Sequence, residues 1–337
     1  MDNINIKKLA KELNISTSTV SRAFNGNADI NKDTKERILT LAREYNYLPN
    51  HYASNLRDKK SRTIAVIVPE IANEFFSKAI SGIEDVARAK GFYILLYRTD
   101  NVFENEVSFV NYLNNGKADG IIMSVSGEAN DHKYLRQLEK KHVPVVFFDR
   151  VYEDIEAAKV ITNDYDSSFA ATEHLIESGC RKIAYLVINK SISIGKVRMQ
   201  GYADALKKHH IPFDDKLVIN CSNDEKANHA VLKQAFTALK PDGTFCSVER
   251  LAFATYYACN DLNLKIPEDI KVISFSSLGI APLLCPALST ITQPAYEMGI
   301  KAATLLFDEL EKKEDGGLKK EYVLESKIYI RKSSERM

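Results

Sequence analysis

Between Ser16 and Phe24 the chain reads STSTVSRAF, a stretch crowded with hydroxyls that carries one guanidinium and no carboxylate. On a helix, Val20, Ala23 and Phe24 point inward, leaving Thr17, Ser18, Ser21 and Arg22 on the outer face. Hydroxyls and a guanidinium can hydrogen-bond base edges in a major groove, which is wide enough to admit a helix, and can anchor on phosphates. The other reading of these residues is a helix that is merely solvated. Ser and Thr compete for backbone hydrogen bonds and form helices poorly, so their density here asks for a reason beyond solvation.

Other chemistries find less support. The seven histidines are scattered, and His209 and His210 fall near a helix end, where they read as surface residues rather than metal ligands. Cys180, Cys221, Cys246, Cys259 and Cys285 form no C-x-x-C pair, and an odd set is read as buried free thiols. Neither a G-x-G-x-x-G nor a G-x-x-x-x-G-K-S/T loop occurs, and no two acidic residues can be placed as an acid/base pair. The expectation is a protein that is not an enzyme, with no catalytic residues, metal or cofactor.

With 337 residues, 45% hydrophobic and 27% charged, the chain has a globular composition and room for two or three domains. The start, MDNINIKKLAKEL, lacks the apolar core of a signal peptide, and no run approaches the roughly 18 to 20 apolar residues of a spanning helix. A cytoplasmic protein without a membrane partner is expected. The net charge of +1 conceals an asymmetry: residues 1–62 carry 12 Lys and Arg against 7 Asp and Glu, and the rest carries 34 against 38. Positive charge is thus concentrated around the hydroxyl-rich segment, where it suits an anionic polymer.

Three helices can position that segment. Asn5 caps one with Ile6, Leu9, Ala10 and Leu13 on a single face; Ser16 caps the second, which stops near Gly26; Asn31 caps a third running from Lys32 to about Glu44. From residue 62 onward, short apolar stretches at 63–69, 93–97, 118–124 and 144–148 alternate with helical ones such as 74–90 and 131–141. After a connection near Val160 the pattern returns, with strands at 182–187, 217–220, 243–248 and 270–275 between helical stretches. This predicts an α/β body of two doubly wound lobes with parallel sheets and a ligand site between them.

The segments IKKLAKELNISTSTVSRAFNG and NKDTKERILTLAREYNYLPN, with Ala53 and Leu56 in A-x-x-L, resemble the head and hinge of the LacI/GalR (lactose-repressor) family of bacterial transcriptional regulators. The ordered co-occurrence of S-T-S-T-V-S-R, N-G, T-K-E-R and Y-x-P-N is far more specific than a helix-turn-helix pattern alone. The resemblance implies that Thr17, Ser18 and Arg22 read bases, and that Ser16, Thr19, Ser21 and Asn25 anchor the sugar-phosphate backbone. It also implies a hinge helix on DNA, with Ala53 and Leu56 at the minor groove and Leu56 wedged between base pairs. A linker leucine packed on the body is the alternative for Leu56.

IAVIVPEIANEFF, ADGIIM, VVFFDR, ATEHLIESGCRKIAYL, RMQGYADAL, IPEDIKVISF and LSTITQP resemble the same family's body, which is similar to periplasmic sugar-binding proteins. The resemblance implies a helix-turn-helix domain at 1–49, a hinge at 50–61, a first lobe from 62–161 and 290–322, and a second from 162–289 and 323–337. It places Phe75, Asp100, Arg150, Asn163, Arg198, Val248, Glu249 and Ser276 at an effector cleft. Arg198 can bind ligand oxygens or serve as an interlobe ion pair. Relatives usually have Asn-Asp at Val248-Glu249 and aspartate at Ser276, so a simple hexose held in the usual way is doubtful. A modified or acidic carbohydrate, an unrelated metabolite and a protein coregulator remain open as effectors. The implied protein is a homodimeric repressor of metabolic, carbohydrate-related genes that binds a pseudo-palindromic double-stranded operator; activation is the alternative output.

Overall fold

The computed structural model describes residues 5–24, 30–45, 47, 61–114, 116–127, 131–311 and 321–336. They belong to two compact units, Met1–Ser61 and Arg62–Met337. Asn25 and the hinge residues Ala53 and Leu56 lie outside the described residues.

In the first unit, α1 (Ile6–Glu12), α2 (Thr17–Phe24) and α3 (Lys32–Glu44) enclose one small core. Each start is fixed by a side-chain oxygen that takes up backbone donors the helix leaves free. Asn5 Oδ1 accepts from the amides of Lys7 and Lys8 at 3.1 Å, Ser16 Oγ from that of Thr19 at 3.1 Å, and Asn31 Oδ1 from that of Asp33 at 2.9 Å. Leu9, Ala10, Val20, Ala23, Ile38 and Ala42 form the buried centre, with Phe24 and Tyr47 packed at its edge.

The second unit begins with β1 (Thr63–Val68), α4 (Glu74–Ala89), β2 (Tyr93–Arg98), α5 (Phe103–Leu113), β3 (Gly120–Met123), α6 (Lys133–Lys140), β4 (Val145–Phe148) and β5 (Ala158–Thr162). It continues with α7 (Asp164–Glu177), β6 (Ile183–Val187), α8 (Ser193–Lys208), β7 (Val218–Asn220), α9 (Glu225–Leu239), β8 (Gly243–Cys246), α10 (Glu249–Asp261) and β9 (Lys271–Phe275). β10 (Ser289–Thr292), α11 (Ala295–Glu311), β11 (Glu321–Leu324) and β12 (Lys327–Tyr329) complete the order. One sheet runs β11-β5-β4-β3-β1-β2 and is parallel throughout; the other runs β12-β10-β9-β8-β6-β7, with β12 antiparallel to β10.

Strand alternation explains why both faces of each sheet are covered. On β1, Ile64, Val66 and Val68 enter the core beneath α4 and α11, while Ala65 and Ile67 enter the core beneath α5 and α6. On β6, Ala184 and Leu186 join the α9 and α10 side, and Ile183, Tyr185 and Val187 the α7 and α8 side. Among the described residues no helix is long and apolar enough to cross a membrane.

The chain leaves the first sheet after Thr162, returns to it after Thr292, and leaves it again between Leu324 and Lys327. The expected return at 290 falls inside β10, and the expected last crossing at 322 inside β11. Both crossings therefore move outward to strand ends, because a residue paired within a ladder belongs to that sheet. The cysteines also need a correction: Cys180, Cys246 and Cys259 are buried and Cys221 is half-buried, but Cys285 is exposed.

α4 and α11 approach at two glycines. A Cβ on Gly299 would stand 2.0 Å from the carbonyl oxygen of Ala79, and one on Gly82 would stand 2.2 Å from that of Tyr296. Gly299→Ala must therefore push the helices apart, at a cost of about 1 to 3 kcal/mol. Chemical denaturation should show a lower midpoint with an unchanged slope; a midpoint equal to that of the parent would mean the helices do not approach this closely.

Candidate effector cleft and nucleic-acid interface

On α2, Thr17, Ser18 and Arg22 are exposed, and no acidic residue occupies the first turn. Ser16 is exposed, while Thr19 and Ser21 are half-buried. The hydroxyls of Ser16 and Thr19 lie 2.9 Å apart, so both side chains take part in starting the helix. Thr17, Ser18, Ser21 and Arg22 form one face because positions four apart stack along a helix. That face offers donors and acceptors to base edges and phosphates without repelling a polyanion.

In the body, the carboxyl ends of both sheets face a shared cleft of about 460 Å³. Glu70 follows β1, Asn101 follows β2 and Arg150 follows β4; from the other lobe come Ile188 after β6, Cys221 after β7 and Val248 after β8. Ligands settle at such strand ends because the loops there are free of ladder bonding and helix N-termini point inward.

Arg198 anchors the floor. It is only 2% exposed, its Nε donates to Asp164 Oδ1 at 2.7 Å, its Nη1 donates to the Ser247 carbonyl at 2.7 Å, and its guanidinium carbon lies 3.6 Å from the centre of the Phe275 ring. Its Nη2 is buried without a hydrogen-bond partner among the described residues. Arg150 donates from Nη1 to Asn101 Oδ1 at 2.6 Å, and its Nε lies 3.9 Å from Asp149. Burial raises the Asp149 pKa above the usual carboxylate range, although the guanidiniums of Arg150 and Arg198 oppose the shift. Burial likewise raises that of Glu249, whose Oε2 accepts from Ser276 Oγ at 2.5 Å.

Of the residues expected at the cleft, Arg150, Arg198, Val248 and Glu249 line it. Phe75, Asp100, Asn163 and Ser276 stand behind or beside it. Asn73 caps α4 and sets its register; Phe75 and Phe76 both pack in the core, and of the two only Phe76 also lines the cavity. Asp100 turns outward to pair with Arg98 at 2.9 Å, and Asn101 reaches Arg150 instead. Asn163 Oδ1 is taken by the Ser326 amide at 2.8 Å and by Ser167 Oγ at 3.1 Å, which makes it a fastener at the lobe crossing. Ser276 reaches the cavity only through Glu249.

Sequence reasoning missed Glu70 and Arg250, which line the cleft from opposite lobes and pair at 2.5 Å. Nothing local marks two charges 180 positions apart. It also missed Ser126, whose amide donates to the buried carboxylate of Glu106 at 2.6 Å. Glu106 further accepts from the hydroxyls of Tyr134 and Tyr152 and so holds the cleft-lining loop from below.

A polar helix face free of carboxylates and a two-lobed body with a cleft, on one chain, are the parts of a sequence-specific DNA-binding transcriptional regulator. Residues 61–321 match the family described as periplasmic binding proteins and sugar binding domain of LacI family, and residues 5–50 match bacterial regulatory proteins, lacI family. The chain belongs to the LacI family of bacterial regulatory proteins. It is 28% identical to the ribose operon repressor of Halalkalibacterium halodurans, with 98% of this chain and 97% of that one covered. Identity to catabolite control protein A of Priestia megaterium is 30%, with 90% and 92% covered. The lac repressor dimer bound to operator and the anti-inducer ONPF shares the fold, with a TM-score of 0.85 at 21% identity and 99% of each chain covered.

The Arg198 geometry generates a stability test. Asp164→Asn keeps the shape of the pair but leaves a buried guanidinium without its carboxylate. Breaking one side of such a pair costs about 3 to 5 kcal/mol, which calorimetry on the purified protein would register as a large fall in Tm. A Tm close to that of the parent would show that Ser247 and Phe275 alone support the charge.

Proposed function

We propose that this protein is a homodimeric repressor of carbohydrate-related genes, acting in the cytoplasm on a pseudo-palindromic operator and controlled by a small effector in the interlobe cleft. The observation that carries the reading is the acid-free face of α2, with Thr17, Ser18 and Arg22 exposed and Ser21 half-buried, on a chain that also contains a polar cleft of about 460 Å³. Thr17, Ser18 and Arg22 read bases. Ser16, Thr19 and Ser21 hold the backbone together with Asn25, and Ala53 and Leu56 serve the minor groove. The carbohydrate class is supported by relatives named for a ribose operon and for catabolite control.

Effector binding shifts the balance between lobe arrangements only if it is tighter in one of them. Arg150, Arg198 and Glu249 are the polar contacts assigned to it, with Val248 as an apolar wall. A simple hexose remains disfavoured, because the Ser276 hydroxyl is spent on Glu249.

Arg22→Ala should leave fold and dimer intact and lower discrimination between the preferred operator and a variant by about 1 to 3 kcal/mol. Selecting the operator from random duplexes and then titrating both proteins on it at fixed salt checks this; equal discrimination by both would remove Arg22 from base reading. A screen of sugars and sugar derivatives for thermal stabilisation, followed by operator titration with each hit, tests the effector. If no small molecule stabilises the protein and only another protein alters operator affinity, the effector part fails.

A further inference from the structure

Glu249 opens α10 and lines the cleft, but its hydrogen bonds lead away from the cavity into the segment 276–279. Ser276 Oγ donates to its carboxylate at 2.5 Å. The Ser276 oxygen in turn accepts from the Leu278 amide at 3.1 Å, so the loop turns around one hydroxyl. Thr292 Oγ1 donates to the Ser276 carbonyl at 3.0 Å and ties the loop to the strand that leads back to the first lobe.

The far side of this loop is held by the other lobe. The Gly279 amide donates to Glu74 Oε2 at 2.8 Å, and Lys78 Nζ donates to the Ser277 carbonyl at 2.8 Å. Glu74 and Lys78 are one turn apart on α4 and pair at 2.7 Å, so a carboxylate and an ammonium together grip one donor and one acceptor of the opposing backbone. The approach is close: a Cβ on Gly279 would meet Glu74 Oε1 at 3.2 Å. Neither Glu74 nor Lys78 lines the cavity.

We propose that Glu249 is the positioning residue through which an occupant of the cleft controls lobe closure, because its carboxylate sets the 276–279 loop where Glu74 and Lys78 grip it. This rests on the reading of the cleft as the effector site. A carboxylate offers about four lone-pair sites, and the Ser276 hydroxyl takes one. A ligand donor that engages the others draws Glu249 toward the cavity and the loop follows, because the Ser276 hydroxyl is bonded to Glu249 and the Leu278 amide to that hydroxyl. The change then passes into α4, and α4 moves with α11 because the close approaches at Gly82 and Gly299 leave no slack between them. The coupling element is a loop with two arrangements, gripped and released, and ligand and lobe contact both bias it.

The test needs no ligand. Amide hydrogen exchange at Leu278 and Gly279 in the full-length protein reports the grip directly, and operator titration reports its consequence. Glu249→Ala should speed exchange at both amides by about tenfold or more, although residue 249 bonds neither of them; Glu249→Gln, which keeps the side-chain shape, serves if the alanine variant does not fold. Glu249→Ala and Glu74→Gln should shift operator affinity in the same direction, and the double variant should depart no further than the larger single one. Unchanged exchange in a folded Glu249 variant, additive shifts, or an operator affinity insensitive to either residue would overturn the proposal. None of these outcomes bears on whether a small molecule binds, which the thermal screen decides separately.

Discussion

Three backbone crossings, fastened to one another by side chains, govern what the body can do. Strands β5, β10 and β11 all end at the same junction, where the Asn163 amide donates to the Leu324 carbonyl at 3.2 Å, Asn163 Oδ1 accepts from Ser326, and Gln293 Nε2 donates to Thr162 Oγ1 at 3.0 Å. β11 is supplied to the first sheet only after the chain has built the second, and β12 then completes the second. Neither lobe can finish its sheet alone. The lobes can change their mutual angle but cannot part, and hinge motion about fixed crossings opens and shuts the cleft at their strand ends.

Within that constraint the cleft is wired by charge. Arg250 pairs with Glu70, the Asn101 amide nitrogen lies 3.5 Å from Glu70, and Asn101 accepts from Arg150, so a polar chain runs from one lobe to the other across the cavity. Below it, Asp164 and Arg198 are withdrawn from water, and such pairs add little net stability because desolvation consumes most of their attraction. Their value lies in direction: each holds a guanidinium at a set angle, and the Nη2 of Arg198, without a partner among the described residues, leaves a buried donor that favours an acceptor beside it.

How much of this was legible depends on the range of the interaction. The face of α2 was readable because a helical period and a Ser cap are local, and β1 and β6 were readable as apolar runs. The resemblance places Phe75 at the cleft, but of two adjacent rings that both pack in the core it is Phe76 that also reaches the cavity, which the helix register after the Asn73 cap decides. The resemblance places Asp100 at the cleft, yet Asp100 and Asn101 both have left-handed φ values near 60° and the turn sends the carboxylate out to Arg98. The split of β11 and β12 between sheets was misplaced by a few residues, since two short strands with only Glu325 and Ser326 between them look like one continuous segment. Glu70 and Arg250 meet only through the closed fold.

The two units also divide the energetic task in a way that bears on regulation. On the proposed assignment, three base-reading side chains at about 1 to 3 kcal/mol each reach the discrimination a genome demands only at the top of that range, because non-specific sites outnumber the operator by roughly a millionfold or more. Two heads on one palindrome double that energy, but only while the spacing of the pair matches the half-sites. The body therefore need not alter any base contact to switch the protein. It needs only to misplace one head relative to the other by a fraction of a base-pair step, and angular change between lobes pinned at three crossings is a motion of that kind. On the proposed function, chemistry on α2 sets which sequence is read, and geometry in the body sets whether it is read.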